Sequence, residues 1–292
     1  MKKKIAYIVP LVCALALVLI LVLTAKKGEP SSEGSAPEDA GFMTVVFPSL
    51  GKADCAVLYE EGACVIIDCA NKGDGKGIAD KVKALGAEQV DALFITHYDK
   101  DHIGGAAKLL TSVFVKRVYE PVYDDSEIDS SEYAAYRLAL ETAQANGTEL
   151  IDLTKDTVIT FGDLTVSVWC AGETYDKSVD NNHSLVIKAE SYGQTLLFAG
   201  DIEKQRIDDI LGKYDIKCDL LKVPHHGEYN KSTNKFITQC SPSVAVITCS
   251  DEEPAEKSTL QSLANAGAAV YYTKDGEITF ICSKSGISVQ TE

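Results

Sequence analysis

Between Thr96 and Gly105 the chain reads THYDKDHIGG, placing His97, Asp99, Asp101 and His102 within six residues. Imidazole nitrogen together with carboxylate oxygen suits Zn²⁺, Mn²⁺ or iron, whereas an all-oxygen set would suit Ca²⁺ or Mg²⁺. The alternative is a polar loop whose acids cap a following helix, and Asp101 is of the right type for that duty. Two histidines and two aspartates in six positions exceed what capping needs, so the segment is read as a metal-binding loop. The histidine distribution agrees. The chain has five, His97, His102, His183, His225 and His226, and each stands in a short polar segment beside an apolar, β-like run.

Three further segments repeat this design. LLFAGD ends in Asp201 behind a glycine that lets backbone approach closely; Asp201 can ligate or bridge metals, or cap the helix that follows. LKVPHHG sets His225 beside His226. Successive side chains diverge on an extended backbone, so one is expected to ligate and the other to orient or to meet substrate. DNNHS holds His183 among turn-forming asparagines, either as a further ligand or in a plain loop. Asp54, after SLGKA, and Asp68, after VII, stand at the edges of β-like runs. A ligating histidine commonly donates its other N–H to a carboxylate, so both are candidates to support ligands from behind, with Asn182 and Lys222 in the same group. Lys222 or Lys100 is also a candidate to stabilise a developing oxyanion.

The elements that must position these groups follow from apolar periodicity. Strands are expected over Met43–Phe47, Cys55–Tyr59, Cys64–Cys69, Val90–Ile95 and Phe114–Tyr119, with Val90–Ile95 feeding the metal loop. Helices are expected over Gly75–Leu85 and Ser130–Asn146. The second half repeats the order: strands at Val158–Phe161, Leu164–Trp169, Ser184–Ala189, Thr195–Ala199, Asp219–Val223 and Val244–Cys249, with helices at Ile202–Leu211, Phe236–Cys240 and Ser258–Ala266. The chain closes with Ala269–Thr273, Ile278–Ser283 and Gly286–Val289. Two sheet-rich halves with interspersed helices predict an α/β fold of stacked sheets with helices outside.

The N-terminus is of another kind. Lys2–Lys4 precede Ile5–Ala25, an uncharged run of 21 residues that as a helix would span about 31 Å. This predicts one N-terminal transmembrane helix over residues 1–25, with its start in the cytoplasm and the rest of the chain outside, at the cell membrane. A cleaved signal segment, leaving a secreted protein, is the competing expectation. Residues 26–41, KKGEPSSEGSAPEDAG, read as a flexible linker, and 42–292 as the folded domain. The formal charge is −15. Setting aside Lys2, Lys3, Lys4, Lys26 and Lys27 leaves 23 basic residues against 43 acidic ones, a balance of −20. Such a surface repels polyanions and counts against tight DNA binding. The nine cysteines show no CxxC pair and mostly lie in apolar runs, so they read as core residues and not as a disulfide framework.

HxDxDHIGG is similar to the HxHxDH signature of the metallo-β-lactamase superfamily, and Asp99 in place of the middle histidine resembles the soluble domain of ComEC/Rec2-type DNA-uptake proteins. SLGKADC, VIIDCA, NNHSLVI, LLFAGDIE and LKVPHHG resemble that group's further motifs in the same order, from about Met43 onward. The resemblance implies an αββα sandwich of two mixed sheets with two divalent metal ions, Zn²⁺ first and Mn²⁺ as the alternative. Carried over by position, His97 and Asp99 would hold one ion, and Asp101 and His102 the other. Asp201 would bridge, and His225 or His226 would complete the second site. His183, Asn181 or Asn182 would fill the remaining position. Catalysis would fall on Asp101, Asp201 and His226. Departures are Lys52 where the subgroup has Gln, Cys69-Ala70 for Thr-Gly, and Glu228 for the Ser after HHG.

The implied activity is metal-dependent hydrolysis of phosphodiester type at the outer face of the membrane, on DNA or a cell-envelope polymer. β-Lactam hydrolysis is disfavoured by Asp99 and the HHG motif. The alternative is a non-catalytic, metal-stabilised component of a DNA-uptake (competence) or cell-envelope complex.

Overall fold

A computed structural model describes residues 41–123, 126, 128, 130–171, 175 and 180–291. The transmembrane helix expected over residues 1–25 and nearly all of the linker lie outside the described residues. Among those described, no helix is long and apolar enough to cross a membrane.

Alternation along the strands decides the layering. In β1 (Phe42–Phe47), Met43, Val45 and Phe47 face one core while Val46 faces another. The same split separates Val65 and Ile67 from Cys64 and Ile66 in β3 (Ala63–Ile67), which pairs with β2 (Ala56–Glu60). Period-two side chains that are apolar on both sides need cover on both faces. The chain supplies it with a second sheet on one face and helices on the other.

The first sheet has the order β17-β16-β1-β2-β3-β5-β7-β8. Its parallel half contains β3, β5 (Ala92–Phe94), β7 (Arg117–Pro121) and β8 (Glu149–Leu153). Its antiparallel edge contains β16 (Ile278–Ser283) and β17 (Gly286–Thr291). The strand expected over Val90–Ile95 is broken at Asp91, whose carboxylate accepts the Cys64 N–H at 3.0 Å. Gln89–Val90 (β4) therefore leaves the sheet and pairs with Phe114–Val115 (β6) as a separate two-stranded ribbon. β8 was absent from the expected elements; ELIDL carries two acids and is only half-buried at the sheet edge, so its apolar signal is weak.

The second sheet has the order β15-β14-β13-β12-β11-β10-β9. β9 (Thr157–Phe161), β10 (Leu164–Trp169), β11 (Val186–Ser191) and β12 (Gln194–Phe198) run antiparallel. β12, β13 (Leu220–Lys222), β14 (Val244–Ile247) and β15 (Ala269–Tyr272) run parallel. The inner core joins Val45, Leu58, Val65 and Phe94 to Val166, Ile187, Phe198 and Val246. Outside the first sheet lie α1 (Gly75–Ala84), α2 (Lys100–Ile103), α3 (Ala106–Leu110) and α4 (Ser131–Ala145). Outside the second lie α5 (Lys204–Lys213), α6 (Thr233–Cys240) and α7 (Lys257–Ala266). This is the expected αββα sandwich. The eight described cysteines are all free and buried, as core residues.

Polar ties also cross between the sheets. Leu185 N–H donates to the Thr96 carbonyl at 2.9 Å, beside the metal loop. Elsewhere, buried Glu60 accepts the N–H groups of Asp163 and Leu164 at 2.9 Å each and the Ser191 hydroxyl at 2.8 Å.

Candidate metal centre

β5, β12 and β13 are parallel-type strands whose C-terminal ends meet at one edge of the sandwich. β5 runs out through Ile95 and Thr96 into His97, β12 through Ala199 and Gly200 into Asp201, and β13 through Val223 and Pro224 into His225 and His226. Open α/β sheets bind ligands at such ends, where the strand finishes and the loop is free to turn. The glycines matter locally. Gly200 has φ +53°, and a Cβ there would lie 2.9 Å from Ser184 and 3.2 Å from Thr96, so only glycine lets the two sheets close at this corner. A Cβ on Gly105 would lie 2.2 Å from the Cys69 carbonyl oxygen, which explains the GG of DHIGG.

The ligand-type side chains converge. His102 Nε2 lies 3.3 Å and His226 Nε2 3.2 Å from Asp201 Oδ2. His226 Nε2 is 3.3 Å from Asp101 Oδ2, and His97 Nε2 is 3.7 Å from Asp99 Oδ2. One ligating atom each from His97, His102 and Asp201 fall within 4.8 Å of one another. The other ring nitrogens are already engaged. His102 Nδ1 is 2.7 Å from Asp68, His226 Nδ1 is 2.9 Å from the Thr248 carbonyl, and His97 Nδ1 is 3.1 Å from the Thr96 hydroxyl and 3.3 Å from that of Ser184. All three Nε2 atoms, with Asp201 Oδ1, are buried without a hydrogen-bond partner. Buried polar atoms are seldom left so. Nδ1 anchored as donor and Nε2 bare and aimed at carboxylates is the arrangement that presents imidazole lone pairs to a cation.

The electrostatics carry the same message. Burial alone would push His102 down, but the Asp201, Asp68 and Asp54 carboxylates outweigh it and hold the ring well above its usual range. For His226 burial is likewise outweighed, by Asp201 and Asp54, and its pKa is pushed up to about 9. Burial acts against the charged form of Asp201, yet His102, His226 and Lys222 hold its carboxyl well below the usual carboxylate range. Clustered carboxylates draw protons onto the imidazoles, and a divalent cation competes for the same places.

Asp54, His102 and His226 also lie close enough to form a metal group. Asp54, however, stands on the Nδ1 side of both rings, 3.9 Å from His102 and 3.4 Å from His226. That side is occupied: Thr248 Oγ1 donates to Asp54, and the Lys222 ammonium contacts it directly. Asp54 and Asp68 therefore sit behind the ligating atoms. Asp68 also accepts the Thr96 N–H at 2.8 Å and hydroxyl at 2.6 Å, and takes up φ +59° to do so.

The structure separates the two adjacent histidines. His225 (φ 48°, ψ 50°) and His226 (φ 51°, ψ 20°) are both left-handed, not extended, at a cost of about 1 kcal/mol each. The turn buries His226 in the cluster and leaves His225 at the rim, with Nε2 4.0 Å from Asp201 and 3.6 Å from Glu228.

Three further residues singled out in the sequence have the following contacts. His183 lies outside the ligand groups: its ring stacks on Tyr123 at 4.5 Å and meets Tyr175 edge-on at 5.4 Å, and burial lowers its pKa. Asn182 Oδ1 accepts from Glu203 N–H at 3.0 Å and Arg206 N–H at 3.4 Å, capping α5. Lys222 is 3 % exposed, with its ammonium on Asp54 and 3.6 Å from Asp201 Oδ1, so it neutralises these carboxylates from behind. Asn181 keeps a buried Oδ1 without a hydrogen-bond partner, while its Nδ2 donates to Glu203 at 3.3 Å. Thr96, Ser184 and Thr248 escaped sequence reading. Each is a hydroxyl residue beside a strand, a pattern too common to single out.

Comparison with known proteins agrees with this geometry. ComE operon protein 3 of Bacillus subtilis (strain 168) is 34 % identical over 165 residues, covering 56 % of this chain and 20 % of the relative. Recombination protein 2 of Haemophilus influenzae is 23 % identical over 202 residues, covering 68 % and 23 %. The chain thus matches about a fifth to a quarter of the length of these relatives. Among solved structures, Igni18, a metallo hydrolase from Ignicoccus hospitalis, aligns with TM-score 0.52 at 18 % identity over 81 % of this chain and 98 % of that one. The metallo-beta-lactamase fold protein YhfI from Bacillus subtilis aligns with TM-score 0.51 at 14 % identity, over 80 % and 98 %. A family model describing the metallo-beta-lactamase superfamily matches residues 49–250, the stretch that contains every residue of the cluster, and the chain belongs to that superfamily.

Proposed function

We propose that this chain is a metal-dependent hydrolase of phosphodiesters. The observation that carries the reading is the set of three buried imidazoles whose Nε2 atoms lack partners and face the carboxylates of Asp99, Asp101 and Asp201. His97 and Asp99 are suited to one ion, with Asn181 Oδ1, buried without a hydrogen-bond partner, as the candidate third donor. Asp101, His102 and His226 are suited to a second, with Asp201 between them. Bound divalent ions supply Lewis acidity and water acidic enough to ionise near neutral pH. Asp99 makes the first position harder than three imidazoles would, which favours Mn²⁺ beside Zn²⁺.

The chain's own groups do the rest. Asp68, Thr248 and the pair of hydroxyls on His97 fix the ring tautomers. Lys222 offsets the charge of Asp54 and Asp201, so that buried carboxylates remain ionised. Asp101, with its side chain 23 % exposed, is the cluster carboxylate that faces both His226 and the open edge. The similarity to competence proteins supports DNA as a substrate, while the acidic surface favours a short cell-envelope phosphodiester. With the N-terminal run as an anchor, the domain would work outside the cytoplasm; protease added to intact cells should then release it, and full protection refutes that placement.

The test is metal analysis of the full chain, then turnover of bis-p-nitrophenyl phosphate, DNA and β-lactams with Mn²⁺ and Zn²⁺. Phosphodiester turnover that falls by several orders of magnitude in Asp101→Asn is expected. Wild-type protein inert on the whole panel would overturn the reading.

A further inference from the structure

We infer that Lys52 is the substrate-anion contact of this site, presented to a phosphoryl group by Glu228. The inference rests on the phosphodiesterase reading for the identity of the anion. Lys52 lies in the loop between β1 and β2, two residues before Asp54, whose N–H donates to the Asp101 carbonyl at 3.0 Å. That bond fixes the Lys52 loop to the metal loop. The Lys52 ammonium is 3.0 Å from Glu228 Oε1 and 3.7 Å from Glu253. The other Glu228 oxygen lies 3.6 Å from His225 Nε2, which is in turn 4.0 Å from Asp201. A chain of polar contacts therefore runs from Lys52 through Glu228 and His225 across the rim to Asp201.

The surroundings give this cation a task. Asp99, Asp101, Glu203 and Glu228 contact its histidines and Glu253 lies beside Lys52, so an anionic substrate entering there meets repulsion. Lys222, the lysine whose ammonium touches the cluster itself, is buried and spent on Asp54. Lys52 keeps its side chain 22 % exposed, and an ammonium has three donors, of which the close contact with Glu228 uses one. Glu228 thus steers the amine and competes with substrate for it. A plain surface ion pair would be worth at most about 1 kcal/mol and would leave substrate affinity alone.

The two roles separate by sign. Inorganic phosphate binding to the Mn²⁺-loaded full chain is measured by calorimetry, alongside KM and kcat for bis-p-nitrophenyl phosphate. Lys52→Gln should weaken phosphate binding about tenfold and raise KM similarly with kcat within about twofold, the scale of one charge-assisted hydrogen bond. Lys52→Arg should restore most of the affinity. Glu228→Gln should tighten binding several-fold, and that gain should vanish in the Lys52→Gln background. Equal weakening by both single variants, a Lys52→Gln affinity within about twofold of wild type, or a Glu228→Gln gain that survives without Lys52 would each overturn the inference. So would a loaded wild type that binds no phosphate. If the phosphate pattern holds but no phosphodiester turns over, the Lys52 contact stands and the hydrolase reading alone falls.

Discussion

Asp68→Asn probes the support of the cluster with almost no change of shape. Asp68 holds three donors: Thr96 N–H at 2.8 Å on Oδ1, and the Thr96 hydroxyl at 2.6 Å and His102 Nδ1 at 2.7 Å on Oδ2. Its φ of +59° is tolerated by asparagine as well as by aspartate, so the substitution adds little backbone strain. The Thr96 N–H requires an acceptor, which fixes the amide oxygen at Oδ1 and turns the NH₂ toward His102. The Thr96 hydroxyl can rotate and accept. His102 cannot keep its proton on Nδ1 against an N–H donor, so the proton moves to Nε2, where a cation should bind. Loss of such support typically costs 10- to 100-fold in metal affinity, or about 1.4 to 2.7 kcal/mol. With metal in excess, the same amount disappears from metal-linked stability, a loss of about 3 to 11 °C in the metal-dependent rise of Tm for a domain of this size. Calorimetric titration with Mn²⁺ and Zn²⁺, and thermal melts with and without chelator, read both quantities. Metal affinity within about twofold of wild type would refute the tautomer argument.

Lys222→Met removes the buried cation between Asp54 and Asp201 and should destabilise the protein by about 3 to 5 kcal/mol in urea unfolding, because two buried carboxylates lose their counter-charge. Glu60→Ala should cost about 2 to 4 kcal/mol in the same assay, far from the metals, since two backbone N–H groups and the Ser191 hydroxyl lose their acceptor. His183→Ala should leave the metal content of purified protein unchanged while lowering Tm, because its ring packs between Tyr123 and Tyr175.

The sequence by itself determined the layers and most of the chemistry. Strands such as FMTVVF and ACVII, apolar on both faces, require cover on both sides, and that requirement is local enough to read from alternation. The placing of His97, Asp99, Asp101, His102 and Asp201 at strand ends was legible because ligand side chains are rare and their spacing is short. What only the tertiary structure decided depends on backbone conformation and on partners distant in the chain. Consecutive left-handed residues, invisible in the letters HHG, send His226 inward and His225 to the rim. In the sequence Lys222 fits either support of a ligand or an oxyanion contact; burial of β13 on both faces puts its ammonium onto Asp54, 168 residues away in sequence. Asn182 and His183 sit in a loop whose composition suits either a ligand or a cap, and the approach of α5 and Tyr123 decides for capping and packing. Residue type fixes which chemistry is available, but its assignment to particular atoms waits on the long-range contacts that determine which lone pairs are left without a partner.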